Sequence, residues 1–120
     1  MKEFVKKKAV IVMCADNGIV EEGISRSGQE VTACVAQALG ERKSSVCRMA
    51  KAVGADVIPV DIGIATTEQI KGVLEKKVAH GTRNFLKGPA MTEQETLTAI
   101  ACGIEVVKDC RDKGYTLLAT

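Results

Sequence analysis

A chain of 120 residues that is 46% apolar can bury one core and is too short to divide into two independently folded units. Seventeen Lys and Arg against fifteen Asp and Glu leave a charge of +2 with the basic residues scattered, and the aromatics are only Phe4, Phe85 and Tyr115; no nucleic-acid stripe or base-stacking platform follows. Five cysteines without a C-x-x-C pair, one histidine and no apolar run of bilayer length argue against a zinc site, a disulfide framework and a membrane span, and point to a reducing, cytoplasmic setting.

Met1 to Lys8 is a charged lead-in whose Lys6-Lys7-Lys8 run reads as solvated. Val10 to Cys14 is short, β-branched and followed by a turn signal, so it is predicted to be a buried strand whose carboxyl end delivers Asp16 into a loop. Ligands of open α/β sheets sit at that end. Ser27 and Glu30 have capping-box spacing for a helix whose stripe is Val31, Cys34, Val35, Ala38 and Leu39. Ser44 or Ser45 caps a second helix, with Val46, Met49, Ala50 and Val53 inward, Met49 as core filler and Gly54 as a left-handed stop.

Val57 to Ile62 is a second strand, apolar on both faces as a helix-covered parallel strand should be, and it delivers Asp61. Pro59 removes one ladder donor from it. Thr66 to Lys77 is read as a short helix with Ile70, Val73 and Leu74 on one face, and His80 to Met91 as a long loop. Thr92 and Glu95 form a second capping box, opening a helix of about twenty residues, roughly 30 Å long, with Leu97, Ile100, Ala101, Ile104 and Val107 inward. An Asp109–Lys113 pair lies near its end and Gly114 stops it. Tyr115 to Thr120 is a third strand, and the expectation is an interrupted fold that leaves a sheet edge and apolar helix faces uncovered and therefore self-associates.

Five segments in order carry a resemblance: Ala15-Asp16-Asn17-Gly18-Ile19-Val20 with Glu22 to Ser25; Gln29-Glu30-Val31-Thr32; Val60-Asp61-Ile62-Gly63-Ile64; Gly81-Thr82-Arg83-Asn84-Phe85; and Ala90-Met91-Thr92. Together they resemble the nicotinate-nucleotide–dimethylbenzimidazole phosphoribosyltransferase family over residues 8 to 120. The resemblance implies a three-layer α/β fold with a mostly parallel, Rossmann-like sheet, of which this chain is a partial domain, in a metal-free and cofactor-free homodimer. It implies transfer of phosphoribosyl from nicotinate mononucleotide to dimethylbenzimidazole in cobalamin assembly. On the matching positions it places Ser25, Ser27 and Gln29 in the base pocket, with Asp16 supporting their loop and Thr82 and Asn84 as further loop contacts.

Asn17 stands where the family often has His, and Ser27-Gly28 where it often has an aromatic followed by proline. The missing ring removes a stacking contact worth about 0.5–1.5 kcal/mol. The family's phosphate-holding glycine-rich loop and its general-base glutamate are expected beyond Thr120, and its leading helices before the first strand, so no catalytic residue is assigned here. Two readings stay open: a portion of that transferase, inactive alone, and a free-standing α/β ligand-binding or interaction module. A thiol redox protein is a third, and it requires a cysteine of low pKa.

Overall fold

The computed structural model describes Val5 and residues 7–120; Met1 to Phe4 and Lys6, most of the charged lead-in, lie outside the described residues. The elements run β1 (Lys8–Ala15), a 3-10 turn (Gly18–Glu22), α1 (Glu30–Gly40), α2 (Ser45–Ala52), β2 (Asp56–Gly63), β3 (Leu74–Glu75), α3 (Glu93–Asp112) and β4 (Leu117–Ala119). The strands form one sheet in the order β3-β2-β1-β4, and every pairing in it is parallel. β1 and β2 pair over most of their length, Val10 opposite Val57 and Met13 opposite Val60.

Two apolar clusters, one on each face of the sheet, make this a three-layer α/β unit. On one face α1 and α2 bring Ala36, Leu39, Cys47 and Ala50 against Cys14, Val57 and Ile64. On the other, Val106 and Cys110 of α3 meet Ile11 and Val60. Leu39 is 2% exposed, so truncating it to Ala removes about 2–5 kcal/mol.

Helix ends follow the local chemistry. Ser44 Oγ accepts from Cys47 N at 3.3 Å, and Gly54 (φ 69°) leaves the end of α2 in the left-handed region. At α3, Glu95 N donates to Thr92 Oγ1 at 3.0 Å and Thr92 N donates to Glu95 Oε1 at 2.8 Å, the expected capping box. Gly114 (φ 90°) follows the helix, and the side-chain ion pair near its end is Arg111 with Asp112 rather than Asp109 with Lys113.

Four expectations are corrected. The Ser27–Glu30 capping box does not form: α1 begins after Gln29, which has helical backbone and no side-chain cap, and the Ser27 hydroxyl meets Ser25 instead. The inward face of α1 is Ala36 and Leu39, while Val31 and Val35 are exposed; on α2, Cys47 and Ala50 are buried and Met49 and Val53 are exposed. On α3 the rotation is largest, with Val106 and Cys110 buried while Leu97, Ile100, Ile104 and Val107 are exposed. Ala36, Cys47, Ala50 and Cys110 lie against the sheet beside the larger Leu39 and Val106. Finally, Thr66 to Lys77 is not helical; it is a turn-rich connection containing β3, which joins β2 at Val60 and Asp61. Pro59 sits just ahead of that short edge pairing.

Candidate functional site

The carboxyl ends of β1 and β2 each bury an aspartate, both 4% exposed. Asp61 Oδ1 accepts from Gly63 N at 3.1 Å and Ile64 N at 2.8 Å, while Oδ2 meets Lys77 Nζ at 3.2 Å. Lys77 also donates to the carbonyls of Ile64 and Thr66, which ties the connection after β2 to the strand end. Asp16 Oδ2 accepts from Ala65 N at 2.7 Å, so one carboxylate laces the two strand ends together. Asp16 O accepts from Thr82 N at 3.0 Å, bringing the 80–91 loop to the same edge.

That loop is braced from within. Thr82 Oγ1 accepts from Gly18 N at 3.2 Å, and the carboxamide of Asn84, itself 7% exposed, donates to Glu21 and Glu22 at 2.6 Å each. Asn84 Oδ1 accepts from Leu86 N at 3.0 Å. Gly18 fits between the two loops only as glycine, since a Cβ there would lie 2.6 Å from Asn84 N and from Thr82 O. Thr82 and Asn84 therefore hold the two loops against each other.

Two depressions flank the Gly18–Glu22 turn. The smaller, about 290 Å³, is lined by Asp16, Ser25, Ser27 and Gln29 together with Ile19, Val20, Ile24 and Val31. Ser25 and Ser27 are exposed, with hydroxyl oxygens 3.5 Å apart, and Ser27 N donates to Ser25 Oγ at 3.3 Å. Gln29 Nε2 donates to Asn17 O at 3.3 Å. Asp16 is the one charged residue of the lining; the rest is hydroxyls that donate or accept, amides and aliphatic walls. Such a lining suits a flat, weakly polar ring.

The larger depression, about 1220 Å³, is lined by Gln29, His80, Thr82, Arg83, Asn84, Lys87 and Met91 among others. Its cations are already paired: Lys87 Nζ lies 2.8 Å from Glu21 Oε1, and Arg83 contacts Glu95 at 2.5 Å. The hydrogen bond from Lys87, with help from Asn84, holds the Glu21 carboxyl below its usual range and lifts Lys87 above its own. The Arg83 guanidinium and the capping bonds from Thr92 push Glu95 down to about 2.

Of the six residues singled out from sequence, Asp16, Ser25, Ser27 and Gln29 share the smaller depression, Thr82 and Asn84 line the larger, and Gln29 lies on both. Sequence reasoning missed Lys77, which stands sixteen positions from Asp61 with no spacing to link them, and Glu21 and Glu22 as partners of Asn84. Burial raises the thiol pKa of Cys14, with the nearby Asp61 charge adding to it, and burial also raises that of Cys110. Neither is the activated thiol a redox protein needs. No group of His, Cys, Asp and Glu among the described residues is arranged to hold a metal, and no described helix is long and apolar enough to cross a membrane.

A family model described as "Phosphoribosyltransferase" matches residues 1–120. The nicotinate-nucleotide–dimethylbenzimidazole phosphoribosyltransferase of Acetivibrio thermocellus is 45% identical over 116 residues, covering 97% of this chain and 33% of that protein. That of Clostridium acetobutylicum is 42% identical with the same coverage. The crystal structure of the corresponding Thermus thermophilus protein superimposes with a TM-score of 0.88 at 34% identity, over 95% of this chain and 35% of that one. The chain spans about a third of the length of the curated relatives it matches. With the five motifs, the parallel α/β sheet and these matches in agreement, the chain belongs to the nicotinate-nucleotide–dimethylbenzimidazole phosphoribosyltransferase family.

Proposed function

We propose that this chain supplies the base-binding portion of an enzyme that moves the phosphoribosyl group of nicotinate mononucleotide onto dimethylbenzimidazole, and that it is inactive alone. The observation that carries this is the convergence of Ser25, Ser27 and Gln29 on one depression at the carboxyl edge of the sheet, with the buried Asp16 as the one charged residue of its lining. Asp16 acts by position: its carboxylate is committed to Ala65 N and its carbonyl to Thr82, so it fixes the strand end from which the base loop departs.

The reaction needs three things: the incoming ring nitrogen held in line with the ribose carbon, a base to take its proton, and stabilisation of the positive charge spreading over the sugar. The serine hydroxyls and the Gln29 carboxamide serve the first. Neither Asp16 nor Asp61 serves the second, because both carboxylates are buried in backbone and lysine bonds. The same reading makes the chain a single α/β unit of a larger domain, in the cytoplasm, as a homo-oligomer. Its cysteines, Cys14, Cys34, Cys47, Cys102 and Cys110, are all free, as a reducing compartment requires.

Calorimetric titration with dimethylbenzimidazole tests the base site. Binding that weakens in Ser25→Ala and Gln29→Ala supports it; an isotherm the two substitutions leave unchanged contradicts it. Nicotinate released from its mononucleotide by this chain alone would contradict its inactivity.

A further inference from the structure

The buried ion pair at the end of β2 reaches farther than the strand it closes. The Lys77 side chain is 11% exposed, and its ammonium protons meet three acceptors: Asp61 Oδ2 at 3.2 Å, Ile64 O at 2.8 Å and Thr66 O. Ala65 stands between the two residues that supply those carbonyls, and its N–H donates to Asp16 Oδ2 at 2.7 Å. Ile64 C=O and Ala65 N–H belong to one planar peptide unit, so a single amide is held by a cation on its oxygen and a carboxylate on its nitrogen. Its plane cannot turn without loosening both bonds. Both are of the stronger, charge-assisted kind, and each polarises the other.

We propose that Lys77 is a positioning residue of the base site, acting on Asp16 through the Ile64–Ala65 peptide. Asp16 directly follows β1, opens the stretch that carries Ser25, Ser27 and Gln29, and lines the same depression as they do. Ala65 N is the one donor its carboxylate meets among the described residues, so the aim of that N–H sets where the carboxylate lies. Asp61 holds the preceding amides, Gly63 N and Ile64 N, and Lys77 holds the carbonyls on either side of Ala65. Without the ammonium, the Ala65 N–H can swing away from Asp16. Lys77 itself lines no part of the depression; it fixes a residue that does. The inference rests on the base-site reading above and adds to it a residue that spacing and pocket lining both pass over.

Calorimetric titration of the folded chain with dimethylbenzimidazole tests it, alongside urea melts and amide spectra. Lys77→Met keeps the length of the side chain and loses the ammonium. It is expected to weaken binding by roughly tenfold, the scale of one charge-assisted hydrogen bond, and to move the amide signals of Asp16 and Ala65 before any ligand is added. Because that variant leaves Asp61 buried without a counter-charge, Lys77→Met combined with Asp61→Asn supplies a second arm. The carboxamide oxygen still accepts from Gly63 N and Ile64 N, so the urea midpoint is expected to return toward the native value while the affinity does not. A native dissociation constant in Lys77→Met, or an affinity that recovers with stability in the double variant, overturns the inference and leaves the base site standing. A native chain that does not bind dimethylbenzimidazole overturns the base site and the inference together.

Discussion

The stretches that follow β1 and β2 begin alike and end differently. Both strands finish in an aspartate that is 4% exposed. After β2, Asp61 closes on Gly63, Ile64 and Lys77, and the chain that follows is bonded to its own strand. After β1, Asp16 bonds away from its own loop, to Ala65, and the exposed hydroxyls of Ser25 and Ser27 are bonded only within their own stretch. At the same edge of the sheet, the β2 end is a brace and the β1 end a presenting loop, a division that fits the rule that binding residues ride on loops positioned by a rigid scaffold.

The largest expected way to break the brace is Asp61→Ala, which leaves the Lys77 ammonium, 11% exposed at its side chain, without its counter-charge. Breaking a buried pair in this way costs about 3–5 kcal/mol, read as a fall in the urea midpoint at constant slope. Gly18→Ala tests the joint between the two loops, because the added Cβ would lie 2.6 Å from backbone atoms that cannot move independently. A loss of about 1–3 kcal/mol is expected, with weakened benzimidazole binding as the turn shifts. A smaller, pH-dependent effect belongs to Glu95. Its carboxyl titrates near 4.5 when unfolded and near 2 when folded, so its contribution is complete above pH 4.5 and is lost as pH falls toward 2. Thermal melts along that interval should show the loss in the native chain and a flatter profile in Glu95→Gln.

How much of this was legible in the sequence depends on how local the signal was. β1, β2, α2, α3 and β4, the Thr92–Glu95 capping box and the glycine stops at Gly54 and Gly114 all stand where short-range patterns place them. The Asp61-Ile62-Gly63 turn is local too. What the sequence misassigned is part of each helix's inward face, although Leu39 and Ala50 are buried as predicted. On α1 Leu39 turns inward as predicted while Val31 and Val35 stay outside, and on α3 the stripe of Leu97, Ile100 and Ile104 stays outside while Val106 and Cys110 pack inward. The residues that meet the sheet mix small and large, Ala36 beside Leu39 and Cys110 beside Val106, so neither size nor apolar spacing alone marks the inward face. β3 was invisible because two residues carry no periodicity, and Lys77 because its bond to Asp61 is made by the fold rather than by spacing.

The central claim is that the Gly23 to Gln29 stretch presents the base site while the rest of the sheet edge holds it in place. Amide chemical-shift mapping during a dimethylbenzimidazole titration tests this most directly, since it locates the ligand residue by residue. The account expects shifts concentrated at Asn17, Ser25, Ser27 and Gln29, diminished in Ser25→Ala and Ser27→Ala, substitutions at exposed positions expected to change stability by no more than about 0.5 kcal/mol. Shifts centred instead on Arg83, Lys87 and Met91, or none at saturating ligand, would contradict it.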